Sequence, residues 1–191
     1  MEESKRTPTV QQLQEELSRE KRRVRRRRRR RVLLAVLLLL ALVLTVCFLR
    51  LPVLRISGDS MAGTLLDGDI AVGLPVSRCR NGDVILFRYQ TGVLVKRLLA
   101  QSGDYVEFDG DGRFFVNGAR LDEPYIESYS RGNCDVVFPL TVPDGALFVA
   151  GDNRPVSVDS RSSVIGCVEA SELEGRLLLR VWPLSRFGLI R

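Results

Sequence analysis

The chain has 191 residues, 45% of them hydrophobic, with 29 Lys and Arg against 23 Asp and Glu and no histidine. Its net charge of +6 averages two unlike parts: residues 1–31 hold 13 basic and 5 acidic side chains, residues 32–191 hold 16 and 18. Overall charge is therefore no argument for nucleic-acid binding, and the missing histidine excludes any triad built on imidazole.

Residues 1–31 read as a basic cytoplasmic tail. Val10, Leu13, Leu17 and Val24 have roughly helical spacing among mixed charges, which predicts a short surface helix running into the arginines. Residues 25–31 are all arginine. Such a cluster sets membrane topology and attracts anionic headgroups; RNA contact is the lesser alternative, and no nucleic-acid partner is expected.

Residues 32–49 are 18 residues without a charge. At about 1.5 Å per residue they span roughly 27 Å as a helix, enough for a bilayer core. The arginine flank predicts a single-pass signal-anchor with the N-terminus cytoplasmic and residues 51–191 extracytoplasmic. A cleaved signal peptide fits less well, because Cys47-Phe48-Leu49-Arg50-Leu51-Pro52 contains no small-x-small cleavage site. Cys47 faintly suggests lipid attachment, but Val46 is too large for the residue before such a cysteine.

Beyond residue 51 the chain turns to short apolar runs cut by turns. Strands are expected at 53–57, 70–74, 84–89, 93–99, 105–108, 113–116, 146–150, 164–168 and 177–182, and a short helical piece at 169–173. Turn signals stand at Asp67-Gly68-Asp69, Asn81-Gly82-Asp83, Gly103-Asp104, Asp109-Gly110-Asp111-Gly112 and Asn117-Gly118. Residues 122–143, rich in turn formers and Tyr, form a long excursion. The expected fold is mostly β, an antiparallel two-sheet or barrel-like domain behind one N-terminal transmembrane helix. Cys79, Cys134 and Cys167 are odd in number, so a disulfide leaves at least one thiol over, and no C-x-x-C marks a metal. No metal or cofactor is expected.

Past the apolar run there is one lysine, Lys96. On a strand it shares a face with Leu94 and Leu98, with Val95 and Arg97 opposite. A lysine serves as a base only if its pKa falls from about 10.4 to near 7–8, about 4 kcal/mol of disfavoured charge, and burial is the usual cause. The alternative is a surface lysine at a strand edge. Ser60, in Ser57-Gly58-Asp59-Ser60-Met61, sits on a tight turn, which exposes a hydroxyl and gathers backbone N–H donors. No Ser-x-x-Lys is formed at Ser60, against a β-lactamase arrangement. A third cluster runs Gly151-Asp152-Asn153-Arg154-Pro155-Val156-Ser157-Val158-Asp159-Ser160-Arg161. It is either a hydrogen-bonded loop or a loop at a site.

Ser60-Met61, Gly82-Asp83-Val84-Ile85-Leu86-Phe87, Val95-Lys96-Arg97 with Gly103-Asp104, residues 151–161 and Val181-Trp182-Pro183-Leu184-Ser185-Arg186-Phe187-Gly188 stand in the order and spacing of one family. Over residues 32–191 the chain resembles the bacterial type I signal peptidases (leader peptidases), in their single-anchor branch. The resemblance implies a membrane-bound serine endopeptidase that cleaves signal peptides from exported preproteins with small residues before the cut. It implies Ser60 as nucleophile, Lys96 as base, Ser157 orienting the amine, and Asp159 with Arg161 as supporting ion pair. By position, Ile56, Met61, Leu65 and Val95 line the pockets, and the Ser60 N–H serves the oxyanion. Two departures stand out. Gly63 replaces the family's usual proline, predicting a looser turn. Gly58 occupies the place where some members put an oxyanion-hole serine. Rival readings are a dedicated processing peptidase for a pilus or conjugation system, and a catalytically silent membrane-anchored binding module.

Overall fold

The structure, a computed structural model, describes residues 10–190, with side chains described at 25–46 and 51–190. The chain divides into two compact units, residues 1–50 and 51–191.

The first unit carries helix α1, Val10–Arg50, 41 residues long. No Gly or Pro interrupts it, and Leu, Arg, Glu and Gln dominate it, all good helix formers. It stops two residues before Pro52, as proline disfavours helix in the residue before it. Every described side chain from Arg25 to Val46 is exposed. Among the described residues no helix is long and apolar enough to cross a membrane. The end of the apolar run, with Cys47, and the tail pattern Val10, Leu13, Leu17 and Val24 have side chains outside the described residues.

The second unit is antiparallel β throughout its described strands. These are β1 (Val53–Arg55), β2 (Ile70–Leu74), β3 (Val84–Tyr89), β4 (Gly92–Gln101), β5 (Tyr105–Phe108) and β6 (Phe114–Val116), followed by β7 (Ala119–Arg120), β8 (Leu140–Thr141), β9 (Ala146–Ala150), β10 (Val168–Glu169), β11 (Leu173–Trp182) and β12 (Gly188–Leu189). One sheet has the order β1-β2-β11-β3-β4-β9-β10, with β12 on β11; a second has the order β7-β6-β5-β8.

Alternation along β4 explains how one strand serves several cores. Leu94 and Leu98 pack with Ile85, Phe87 and Val149, whereas Val95 packs with Ile56, Met61 and Leu86. A register shift between Leu98 and Ala100 then sends Leu99 and Ala100 into a third cluster, with Phe108, Phe114 and Phe148. The strand expected at 164–168 is only Val168 with Glu169. The Ser162 carbonyl draws in the N–H groups of Ile165 and Gly166, at 3.1 and 2.8 Å, which turns the chain before pairing begins. The helical piece expected at 169–173 is a single 3-10 turn, Ala170–Glu172. Strands β7, β8 and β12 are two residues each, too short to show an alternation.

Candidate active site

Ser60 lies in the turn between β1 and β2. Two buried side chains anchor it: Met61 and Leu65 pack under the turn with Ile56, Ala71 and Leu177. Backbone bonds close it, Ala62 N–H to Asp59 O at 3.1 Å and Leu65 N–H to Met61 O at 2.8 Å. Ser60 is left half-buried. Among the described hydrogen bonds, neither its hydroxyl nor its backbone N–H has a partner. The Gly58 N–H, by contrast, is taken by Asp67 Oδ1 at 2.8 Å.

Lys96 sits on β4 opposite Ile85 and is 4% exposed. Its Nζ donates to Ser157 Oγ at 3.1 Å. Burial pushes the amine down from 10.5 to about 8. Asp159 pulls the other way, Arg161 adds to the fall, and Asp152 opposes it. Burial is thus the main cause that brings this amine toward the range in which a lysine can act as a base.

The loop after β9 brings these groups together. Asn153 donates its backbone N–H to the Ser60 carbonyl at 3.1 Å and its side-chain amide to the Asp59 carbonyl at 3.0 Å. Between them, a Cβ at Gly151 would collide with both Ser157 Oγ and the Ser60 carbonyl. The Ser60 backbone and the Lys96–Ser157 pair therefore face each other across a bare glycine. Asp159 accepts from the Gly151 N–H at 2.9 Å and from Arg161 Nε and Nη2, both at 2.8 Å. Burial opposes its charge, but the Arg161 guanidinium and the Gly151 N–H hold the carboxyl below its usual range.

Beside Ser60 runs a shallow groove of about 110 Å³, lined by Ile56, Met61, Val93, Leu94 and Val95 among others. Leu65 is fully buried behind the turn and does not line it. Two strand edges border the groove. β1 is the last strand of its sheet, and β9 pairs with β4 only from Arg97 onward, so the edge of residues 92–96 facing away from β3 is unpaired among the described strands. An extended peptide has backbone partners on both sides there.

Several residues to which the sequence motifs assign no role also build the site. Arg97 binds Asp152 through Nε and Nη2 at 2.8 and 2.6 Å, and Asp152 also accepts the Thr64 hydroxyl at 2.5 Å. Arg154 pairs with Glu123, also buried, from the long excursion. Arg97, Arg154 and Arg161 are each at most 1% exposed. The signal available in sequence was a charged residue inside an apolar strand, as Arg97 is.

Residues 29–182 match the family described as signal peptidase, peptidase S26. The chain belongs to this family. Signal peptidase IB of Staphylococcus aureus (strain COL) is 34% identical over 152 residues, covering 69% of this chain and 78% of that protein. Signal peptidase I of Streptococcus pneumoniae is 28% identical over 176 residues, covering 70% and 83%. The crystal structure of a signal peptidase I from Enterococcus faecalis is 31% identical, with a TM-score of 0.43, and covers 52% of this chain and 97% of that one. Membership of the signal peptidase family makes the chain a serine endopeptidase that acts on signal peptides. All three described thiols are free, and burial raises Cys79, with Asp83 adding to it, to about 11 and also raises Cys167.

Proposed function

We propose that Ser60 and Lys96 form the catalytic dyad of this signal peptidase, in a domain anchored to the membrane by residues 32–49. The observation that carries the dyad is the Lys96 amine, 4% exposed and brought down to about 8, in reach of Ser157 and facing the Ser60 turn.

The substrate strand lies in the groove between the edges of β1 and β4, pairing with both through its main chain. The groove's small volume supports a requirement for small side chains before the cut, with Ile56, Met61 and Val95 forming the walls. Neutral Lys96 takes the Ser60 proton as Oγ attacks the scissile carbonyl. The Ser60 N–H receives the developing oxyanion. Lys96 then gives its proton to the leaving amine, and the mature chain departs. Water, deprotonated by the same amine, hydrolyses the acyl-enzyme and restores Ser60. Ser157 holds Nζ through the cycle, and Asp159 with Arg161 holds the loop that carries Ser157.

The anchor reading rests on the uncharged run of 18 residues behind seven arginines in α1. That flank stays cytoplasmic, so residues 51–191 lie on the outer side with the exported preproteins. Purified protein mixed with a precursor whose leader ends in Ala-x-Ala releases the mature chain. Unchanged cleavage by Ser60→Ala or Lys96→Ala sinks the dyad. Protease added outside intact cells digests residues 51–191; protection of that domain sinks the topology.

A further inference from the structure

The turn after Ser60 is built differently from one that holds a proline, and its brace is on the neighbouring excursion. Gly63 has φ +101°, a left-handed conformation closed to proline, whose ring fixes φ near −65°. A Cβ there would stand 3.0 Å from the Tyr125 carbonyl oxygen. The turn therefore rests directly on the backbone of Tyr125, with the Glu127 side chain next to it.

The Tyr125 side chain makes a second contact with the same assembly. Its ring lies under the Arg97 guanidinium, 3.7 Å from carbon to centroid. The edges of that guanidinium are spent on Asp152, on the Gly82 carbonyl at 2.6 Å and on Thr64 Oγ1 at 3.1 Å. Thr64 is held again by Asp152 through its hydroxyl, and by Arg180, which donates to its carbonyl at 2.8 Å. The phenol itself donates to Glu123 at 2.9 Å, and burial, followed by the Glu123 charge, raises it well above the usual range so that it stays a donor.

We propose that Tyr125 is a positioning residue for the nucleophile: its carbonyl braces the Gly63 turn, its ring caps the Arg97 guanidinium that clamps Thr64, and together these hold Ser60 in register with Lys96. The proposal rests on the reading of Ser60 and Lys96 as the dyad. Its physical weight comes from how sharply acyl transfer depends on placement, since an error of about 1 Å in an attacking group costs on the order of a hundredfold. Gly63 supplies no rigidity of its own, so neighbours must supply it.

The test uses the full chain, a serine-directed penem as acylating probe, and a signal-peptide substrate. Wild type labelled at Ser60 establishes the dyad reading independently; no label at Ser60 removes that reading and this proposal together. Tyr125→Leu keeps an apolar side chain there without an aromatic face. It is expected to slow Ser60 acylation about tenfold, a loss between the exposed and the desolvated scale of a cation–π contact, with substrate KM within about twofold and the pH midpoint unmoved. Tyr125→Phe keeps the ring and restores the rate. Gly63→Ala, which forces a Cβ onto the Tyr125 carbonyl, slows acylation as well. Thermal unfolding of each variant separates slowed chemistry from lost fold. The proposal is overturned if Tyr125→Leu acylates at the wild-type rate, if only its KM or melting temperature changes, or if Tyr125→Phe is as slow as Tyr125→Leu. Wild-type acylation by Gly63→Ala overturns the brace.

Discussion

Two neighbouring regions of the unit formed by residues 51–191 are held together by opposite means. Around β5 and β6 the interior is aromatic: Phe108 stacks on Phe114 at 4.3 Å, and Phe114 meets Phe148 edge-on at 5.6 Å. Around the end of β9 the interior is ionic, with Arg97, Arg154 and Arg161 buried against Asp152, Glu123 and Asp159. The two meet where Arg154 lies 5.0 Å over the Phe114 ring. Apolar burial is non-directional and contributes stability. Buried ion pairs repay little more than their own desolvation, but each fixes several atoms at once. The difference separates what keeps this domain folded from what keeps Ser60, Lys96 and Ser157 in place.

That contrast can be broken from either side. The largest effect belongs to Lys96→Met, which removes the proposed base and also the cost of burying an amine. Cleavage falls about 100- to 10,000-fold while the urea midpoint holds or rises; a fall in both together would mean the amine is structural. Asp159→Asn leaves Arg161 buried without its counter-charge, so about 3–5 kcal/mol of stability is lost in urea unfolding. A loss below about 1 kcal/mol would mean that water reaches this pair, at variance with its burial. Phe114→Ala costs a similar 3–5 kcal/mol through the cavity it leaves, yet kcat per folded molecule stays within about twofold. A kcat loss there would show that the aromatic region positions the site as well. The smallest effect is that of Ser157→Ala. It removes one hydrogen bond of about 1 kcal/mol and slows cleavage about five- to tenfold without moving the melting temperature by more than a few degrees.

The apolar side of this comparison was the more legible in sequence. Strands at 70–74, 84–89, 105–108 and 146–150 have the bounds that their alternating or apolar runs and turn residues indicate. Lys96 stood out because it is the one lysine past the apolar run, and the face it shares with Leu94 and Leu98 already implied burial. The ionic side was less legible. Arg154 and Glu123 are 31 residues apart, Arg97 and Asp152 are 55 apart, and charge patterning reports only near neighbours along a helix or strand. Gly63 was visible as a departure from proline, but its support was not. A left-handed turn resting on the Tyr125 carbonyl depends on where the long excursion from residue 122 folds back, which local pattern does not encode.

The central claim is that burial, and not a partner histidine, makes a lysine the base of this peptidase. The pH dependence of kcat/KM for a signal-peptide substrate tests it most directly. Only the neutral amine accepts the Ser60 proton, so activity rises with pH through a single ionisation near 8 and falls about tenfold per unit below it. A midpoint near 10.5, where an unburied lysine titrates, or a rate as high at pH 6 as at pH 9, would contradict the account.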